Sequence, residues 1–386
     1  MFMSKIVRVI TSSVSLNLLR GQMPYMSRNG HTFFVAFGGP FEDSASNRMK
    51  AGVPVYEIKH LVRPVKPFSD LLSLYELIKV IKRLNPDIVH TQTPKAGLLG
   101  MIAAWFCGVP YRIHSVGGMP LMTRRGVMRF ILNLTETVTY KAATLVVPNS
   151  KTMASFIVDH HYAPRSKIIV LNNGSTNGID LEYFDRTPEV VERAKRIREE
   201  VGESFVYLFV GRIVKDKGIT ELVDAFERVN EEHPETRLLL VGTQEPELDP
   251  LPDRTQRLLA DNDAIIEAGW QDDVRPWFVA SDLFTFPSYR EGFPNVVMQA
   301  GALGIPSIVT DINGSNEIII EGKNGTIIPT RDTDALYRKM TEALDHRDRL
   351  TEMAARCRPL IASRYRQEDV WRATLEMYRS LTDDAK

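Results

Sequence analysis

The segment Gly211-Arg212-Ile213-Val214-Lys215-Asp216-Lys217-Gly218 has the residue types that hold an anion. Arginine offers a planar fork of N–H donors and lysine a compact point charge, a pairing suited to a diphosphate. An apolar run, Val206 to Val210, precedes this loop, and a helical pattern starts near Ile219. A loop in that setting lets glycine backbone approach a ligand and presents the free N–H groups of a helix N-terminus. An ordinary basic strand-to-helix turn has the same composition, so this loop alone does not separate the two readings.

A second constellation is Pro287-Ser288-Tyr289-Arg290-Glu291-Gly292-Phe293-Pro294-Asn295-Val296-Val297-Met298-Gln299-Ala300. It too leaves an apolar strand, and Pro294 marks a helix start. Glu291 sits in a Gly- and Pro-flanked loop, where a carboxylate can accept hydrogen bonds from sugar hydroxyls. Gln299 lies eight residues on, about one turn into the helix, within reach of the same ligand. The plainer alternative has Glu291 capping the helix and Gln299 facing solvent.

The elements that must position these loops follow from the alternation of β-rich runs with helical stretches. In the first half the candidate strands are residues 6–12, 32–37, 53–58, 87–92, 111–116, 144–149 and 167–172. Helical patterns cover 70–84 and 127–143. In the second half, strands are expected at 205–212, 236–242, 264–268, 283–287 and 307–310, with helices at 219–232 and 295–303. Such alternation implies parallel sheets covered on both faces, because parallel strands need crossover helices. Residues 96–111 carry no charge but fall short of the roughly 20 needed to cross a bilayer. They read as a buried helix, N-capped at Thr93-Pro94 and stopped at Gly108-Val109-Pro110.

A chain of 386 residues fits two domains of ordinary size. The expected architecture is α/β, two Rossmann-like doubly wound domains facing across a cleft. The boundaries are read as 1–178, 179–366 and a C-terminal helix, 367–386, that crosses back to the first domain. Ligands of such sheets bind at the carboxyl ends of strands, where both loops lie.

Charge is zero overall but split. Residues 1–180 hold 21 Lys and Arg against 9 Asp and Glu, and the remainder 27 against 39. A basic first half suits an anionic partner, either phospholipid headgroups or a phosphorylated acceptor, as well as it suits a solvated surface. Arg124-Arg125, followed by Val127, Met128, Phe130 and Ile131, reads either as the start of an interfacial helix or as an ordinary surface helix. Cys107 and Cys357 match no metal-ligand spacing, and no export signal is visible, so a cytoplasmic chain is expected.

Together, Gly211-Arg212…Lys217-Gly218, Glu291-Gly292-Phe293-Pro294-Asn295 and the flow Pro287-Ser288…Ala300…Gly304-Ile305-Pro306…Val309…Asp311 resemble the donor site of glycosyltransferase family 4. That family has the GT-B fold and retains anomeric configuration. The resemblance implies that Arg212 and Lys217 hold the donor diphosphate and that Glu291 contacts the donor sugar. Gln299 stands where the family usually has a second Glu on the ribose hydroxyls; an amide still bonds a diol but brings no charge. Gly211, Gly292, Phe293, Pro294 and Asn295 complete the donor site. His114, in Tyr111-Arg112-Ile113-His114-Ser115-Val116-Gly117-Gly118, resembles the family's His near the transferred sugar. His90-Thr91-Gln92-Thr93-Pro94-Lys95, which leaves a strand into a helix, is a second candidate for the acceptor or its phosphate, balanced against a structural role. Where the family has a glycine-rich turn near the N-terminus, this chain has Thr11-Ser12-Ser13-Val14-Ser15, and Ser13 is the candidate phosphate contact.

The resemblance further implies a UDP-sugar donor, with GDP as the alternative carrier, and a hexose or N-acetylhexosamine as the group moved. The wording of the motifs is similar to bacterial enzymes that build capsule, O-antigen or undecaprenyl-diphosphate-linked glycans. A saccharide acceptor is therefore expected, lipid-linked at the inner membrane surface. No metal, no cofactor and no nucleic-acid partner are expected. Two rivals remain: a nucleotide-sugar epimerase of the same fold, and a non-catalytic nucleotide-sugar-binding protein.

Overall fold

A computed structural model describes residues 4–12, 15–16, 19–39, 52–119, 121, 126–247 and 249–383. The chain divides into two compact units. One is Met1–Gly178 with Gln367–Lys386, and the other is Ile179–Arg366.

The first unit contains β1 (Lys5–Ile10), α1 (Gln22–Arg28), β2 (Thr32–Gly38), β3 (Val55–Ile58), α2 (Pro67–Leu84), β4 (Ile88–Gln92), α3 (Pro94–Phe106), β5 (Tyr111–Val116), α4 (Gly126–Ala142), β6 (Leu145–Pro148) and α5 (Lys151–Asp159). Its strands are all parallel, in the order β3-β2-β1-β4-β5-β6. Side chains alternate across the pleat. Val7, Val9, Val89 and Val146 face one apolar layer with Ala96 and Leu99. Ile6, Ile10, Phe33, Ile88 and Ile113 face the other, which also takes Leu375, Met377 and Tyr378.

The second unit runs α6 (Pro188–Val201), β7 (Phe205–Val210), α7 (Ile219–Glu232), β8 (Thr236–Val241), α8 (Asp253–Asp261), β9 (Ile265–Gly269), α9 (Arg275–Val279), β10 (Leu283–Phe286), α10 (Asn295–Ala302), β11 (Ser307–Thr310), α11 (Ser315–Ile318), β12 (Gly325–Ile328), α12 (Thr333–Asp345) and α13 (Arg347–Tyr365). It repeats the parallel order as β12-β11-β10-β7-β8-β9. Every residue of β7 and of β10 is buried, as expected of strands covered on both faces. The last helix, α14 (Gln367–Asp383), belongs to the first unit.

Three details differ from the sequence reading. Residues 167–172 are not a strand. Pro164 opens a single 3-10 turn over Arg165–Lys167, only Ile168 bridges to Val146, and Asn172 turns the chain at φ 49°. Thr93 does not cap α3. Its Oγ1 is engaged by Thr11, accepting from the Thr11 backbone N–H at 3.2 Å and sharing a 2.6 Å bond with the Thr11 hydroxyl. The short strand β12 went unread, because four residues after Asn324 give too little alternation to register.

Candidate active site

In both sheets the strand order reverses beside the first strand, between β1 and β4 in one and between β7 and β10 in the other. Loops leaving the two strands at such a switch point open a crevice at the carboxyl edge. In the second unit those two loops are the Arg212 and Glu291 segments.

Tight backbone packing brings them together. Gly218 has φ 74°, and a Cβ there would lie 2.1 Å from the Pro287 carbonyl oxygen. The Tyr289 backbone N–H donates to the Asp216 carbonyl at 2.9 Å, and Arg290 Nη2 reaches Asp216 Oδ2 at 2.9 Å. The Asp216 backbone N–H in turn donates to Asp249 Oδ2 at 2.7 Å. Gly211 meets Gly242 so closely that a Cβ on Gly242 would fall 1.8 Å from the Gly211 carbonyl.

Within this frame Lys217 Nζ pairs directly with Glu291 Oε1, both side chains being about five-sixths buried (14% and 16% exposed). Ser288 Oγ donates to the same carboxylate oxygen at 3.0 Å. The Glu291 loop is held from below by Thr310, whose hydroxyl donates to the Ser288 carbonyl, and by Asn313, whose amide donates to the carbonyls of Glu291 (3.2 Å) and Gly292. Arg212 is half exposed and bonded to Glu245 Oε2 at 2.8 Å. Burial opposes its charge, but the Glu245 bond and the fields of Asp216 and Glu291 outweigh that and raise its pKa. Tyr289 gives its hydroxyl to Glu221 at 2.6 Å; burial and that carboxylate raise its pKa.

Two helix N-termini meet these loops, and neither is capped by a side chain: α7 after Gly218 and α10 after Pro294. Their free N–H groups and the N-terminal dipole favour an anion. Gln299 is the fifth residue of α10, half-buried, its amide unpaired among the described residues. Asn295 is exposed at the start of α10, while Phe293 is buried edge-on to Tyr365 at 5.4 Å. Lys217, Arg212, Glu291, Gly292 and the α10 residues thus share one neighbourhood. The supports Glu245 and Glu221 were not singled out, since only contacts between distant loops mark them.

Other predicted residues belong to the first unit. His114 is buried in the first unit (3% exposed), bonded through Nδ1 to Thr91 Oγ1 at 2.8 Å. A Cβ on Gly97 would touch its ring, and burial pushes its pKa down to about 3, so it is a neutral imidazole. The His90–Gln92 stretch also turns inward. Arg8, itself buried, bonds His90 Nδ1 (2.6 Å), Gln92 Oε1 (2.9 Å) and the Tyr378 hydroxyl (3.2 Å). Ser13 and the Arg124-Arg125 pair lie outside the described residues. Two Asp-x-Asp spacings are present. Asp332 of one caps α12 and its Asp334 pairs with Arg228 at 2.6 Å. The other, Asp261 to Asp263, closes α8. Among the described residues no cluster of three or more His, Cys, Asp or Glu is placed to hold a metal.

Comparison with known proteins agrees over both halves. Residues 190–359 match the family described as Glycosyl transferases group 1, and residues 18–174 match the Glycosyl transferase 4-like domain. The capsular polysaccharide biosynthesis glycosyltransferase CapM of Staphylococcus aureus is 30% identical across 99% of this chain and 98% of its own. A UDP-Gal:alpha-D-GlcNAc-diphosphoundecaprenol alpha-1,3-galactosyltransferase of Escherichia coli is 28% identical, covering 84% of this chain and 82% of its own. Among solved structures, Anabaena HepE in complex with UDP superposes with a TM-score of 0.79 at 17% identity, over 97% of this chain and all of that one.

Proposed function

The chain belongs to the group 1 and 4-like glycosyltransferases, has the GT-B fold, and on that premise we propose that it moves a hexose or N-acetylhexosamine from a UDP-sugar to a lipid-linked saccharide with retention of configuration. The observation that carries this reading is the Arg212–Lys217–Glu291 cluster beside two uncapped helix N-termini at the second unit's switch point.

In this mechanism the donor diphosphate takes Lys217 and Arg212 from their carboxylate partners, and the N-termini of α7 and α10 share its charge. Glu291, released from Lys217, accepts hydrogen bonds from the sugar hydroxyls. The bond from the anomeric carbon to the diphosphate oxygen breaks as charge builds on that oxygen, where preorganised cations and N–H groups stabilise it most. The acceptor hydroxyl forms the new bond from the same face and passes its proton to the departing oxygen. No protein nucleophile is required. His114, buried and neutral, is assigned to substrate positioning, as the resemblance implies, rather than to proton transfer. Gln299 is assigned to the ribose hydroxyls.

The relatives support the substrate classes. The E. coli protein is named for a UDP-galactose donor and a diphosphoundecaprenol acceptor, and a Campylobacter jejuni relative likewise names a diphospho-undecaprenol acceptor. Such an acceptor would bring the chain to the cytoplasmic face of a membrane. Among the described residues no helix is long and apolar enough to cross one.

Release of nucleotide from a panel of UDP- and GDP-sugars, beside Arg212→Ala and Glu291→Ala, tests the reading. Slow UDP release from one sugar, lost in both variants, is expected. A product with inverted linkage would end the retaining mechanism, and failure to bind any nucleotide would end the reading altogether.

A further inference from the structure

Period-two alternation puts Arg8 on the same face of β1 as Ile6 and Ile10, in the layer that Tyr378 of α14 closes. It is 2% exposed, and a guanidinium keeps its charge when buried. Its partners are all neutral: His90 Nδ1 at 2.6 Å, Gln92 Oε1 at 2.9 Å and the Tyr378 hydroxyl at 3.2 Å. Its Nε is buried with no partner, and among the described residues no Asp or Glu pairs with it. A buried cation without a counter-charge is costly, so buried charges are normally paired.

His90 does not supply the missing charge. Arginine only donates, so His90 Nδ1 accepts and the ring proton sits on Nε2, 2.7 Å from Ser115 Oγ. Burial and then the Arg8 charge hold the ring neutral. Ser115 Oγ accepts from that ring, which leaves its own hydrogen to donate elsewhere.

A partly enclosed cavity of about 360 Å³ adjoins the cluster, lined among others by Arg8, His90, Ser115, Asn149 and Ser175. Among the described residues no acidic side chain lines it. Ser175 Oγ accepts from the Gly178 backbone N–H at 3.0 Å, so it too has a hydrogen to give. Asn149 offers the opposite, because its Oδ1 is buried and unpartnered. The lining therefore presents one fixed cation, two hydroxyl donors and one acceptor. Hydrogen phosphate matches that set in sign and number, with three acceptor oxygens and one O–H. Bicarbonate has one acceptor oxygen fewer, and chloride and sulfate have no O–H.

We propose that this cavity binds hydrogen phosphate, its three unprotonated oxygens facing Arg8, Ser115 and Ser175 and its P–OH donating to Asn149 Oδ1. The site lies wholly in the first unit and goes beyond the transferase reading without depending on it.

Calorimetric titration of the full chain with inorganic phosphate, near neutral pH and at constant ionic strength, tests it. Phosphate can also meet Arg212 and Lys217, so the titrations use an Arg212→Ala/Lys217→Ala background. Saturable one-to-one binding is expected there. Gln92→Glu gives Arg8 a carboxylate where it already bonds an amide oxygen, and is expected to weaken binding at least about tenfold. Ser115→Ala removes one donor and no charge, and is expected to weaken it about fivefold; it decides the matter if Gln92→Glu does not fold. Sulfate and methyl phosphate, which carry essentially no O–H at that pH, should bind about tenfold more weakly. Phosphate should also raise the urea midpoint of the background chain but not that of Gln92→Glu, because a ligand stabilises only the fold that binds it.

No binding in the background would overturn the proposal, as would binding that neither Gln92→Glu nor Ser115→Ala weakens. So would equal midpoint shifts in the two chains, which is what phosphate does as an excluded salt. Equal affinity for methyl phosphate would overturn hydrogen phosphate as the ligand, since the P–OH then plays no part.

Discussion

The two units fold the same sheet and use its switch point differently. In the first, the loops leaving β1 and β4 are joined by uncharged groups: Thr11 and Thr93 share a hydroxyl bond, and the Ala96 backbone N–H donates to Thr11 at 3.2 Å. In the second, the loops leaving β7 and β10 are joined by an ion pair, Lys217 with Glu291, flanked by Arg212. Strand order is the same, so topology decides where a ligand is offered a place and the loop residues decide what it is. A buried ion pair also differs from a hydroxyl pair in kind. Each charge has lost water and depends on its partner, so an incoming diphosphate and sugar can replace both partners at once.

The sharpest way to break this comparison is to remove the charges. Lys217→Ala or Arg212→Ala is expected to lower the turnover of donor by about 10²- to 10³-fold, the loss usual for one preorganised donor to a developing anion. Steady-state nucleotide release checks it. An effect below tenfold in both would mean that the second switch point is no more reactive than the first.

Backbone fit gives the next largest effect. At Gly218 a side chain meets both a left-handed φ of 74° and the Pro287 carbonyl, whereas a Cβ on Gly117 has nothing within 4 Å. Gly218→Ala is expected to cost about 2–4 kcal/mol, from strain plus displacement of the β10 loop. Gly117→Ala should fall within about 0.5 kcal/mol of wild type. Urea midpoints on the two variants measure the contrast.

Most of the scaffold could be read from the sequence, because β-rich runs alternate with helical periods and the parallel arrangement follows. The boundaries of α7, from Ile219 to Glu232, coincide with the reading because a glycine with no side chain to cap it precedes a long apolar period. Residues 167–172 misled because Ile168, Ile169, Val170 and Leu171 have strand composition, while Pro164 and Asn172 decide the backbone. Around the site, Arg212, Lys217 and Glu291 were legible as residue types on loops. Their pairing was not, since it depends on two loops 74 positions apart. Nor was the burial of His114. Only the register of β5 against β4 and the approach of α3 through Gly97 set which face of the sheet it takes.

Buried histidines give the first unit a pH response that its switch point alone does not. His114, held near 3, and His90, lowered by burial and then by Arg8 and His114, both stay neutral in the fold. Their unfolded counterparts bind protons below about 6.5, so the unfolded state gains protons first and stability falls as pH drops from about 6.5 toward 3. For His114 the loss by pH 5 is about 2 kcal/mol relative to neutral pH. His114→Gln should flatten that slope, whatever it does to stability at pH 7. Chemical denaturation at pH 5, 6 and 7 measures it, and parallel slopes for wild type and variant would mean that this histidine is hydrated.

The smallest effect tests whether the second switch point is electrostatically complete. Gln299 offers a neutral amide where a carboxylate would offer charge-assisted acceptors to two ribose hydroxyls, bonds about twice as strong. Ribose does not change during transfer, so the extra attraction acts equally on ground and transition states. Gln299→Glu is therefore expected to lower the donor KM about fivefold, worth about 1 kcal/mol, with kcat unchanged. A fall in kcat instead would mean that the new charge competes with Glu291 for Lys217. The glutamine would then protect the ion pair that distinguishes this unit from the other.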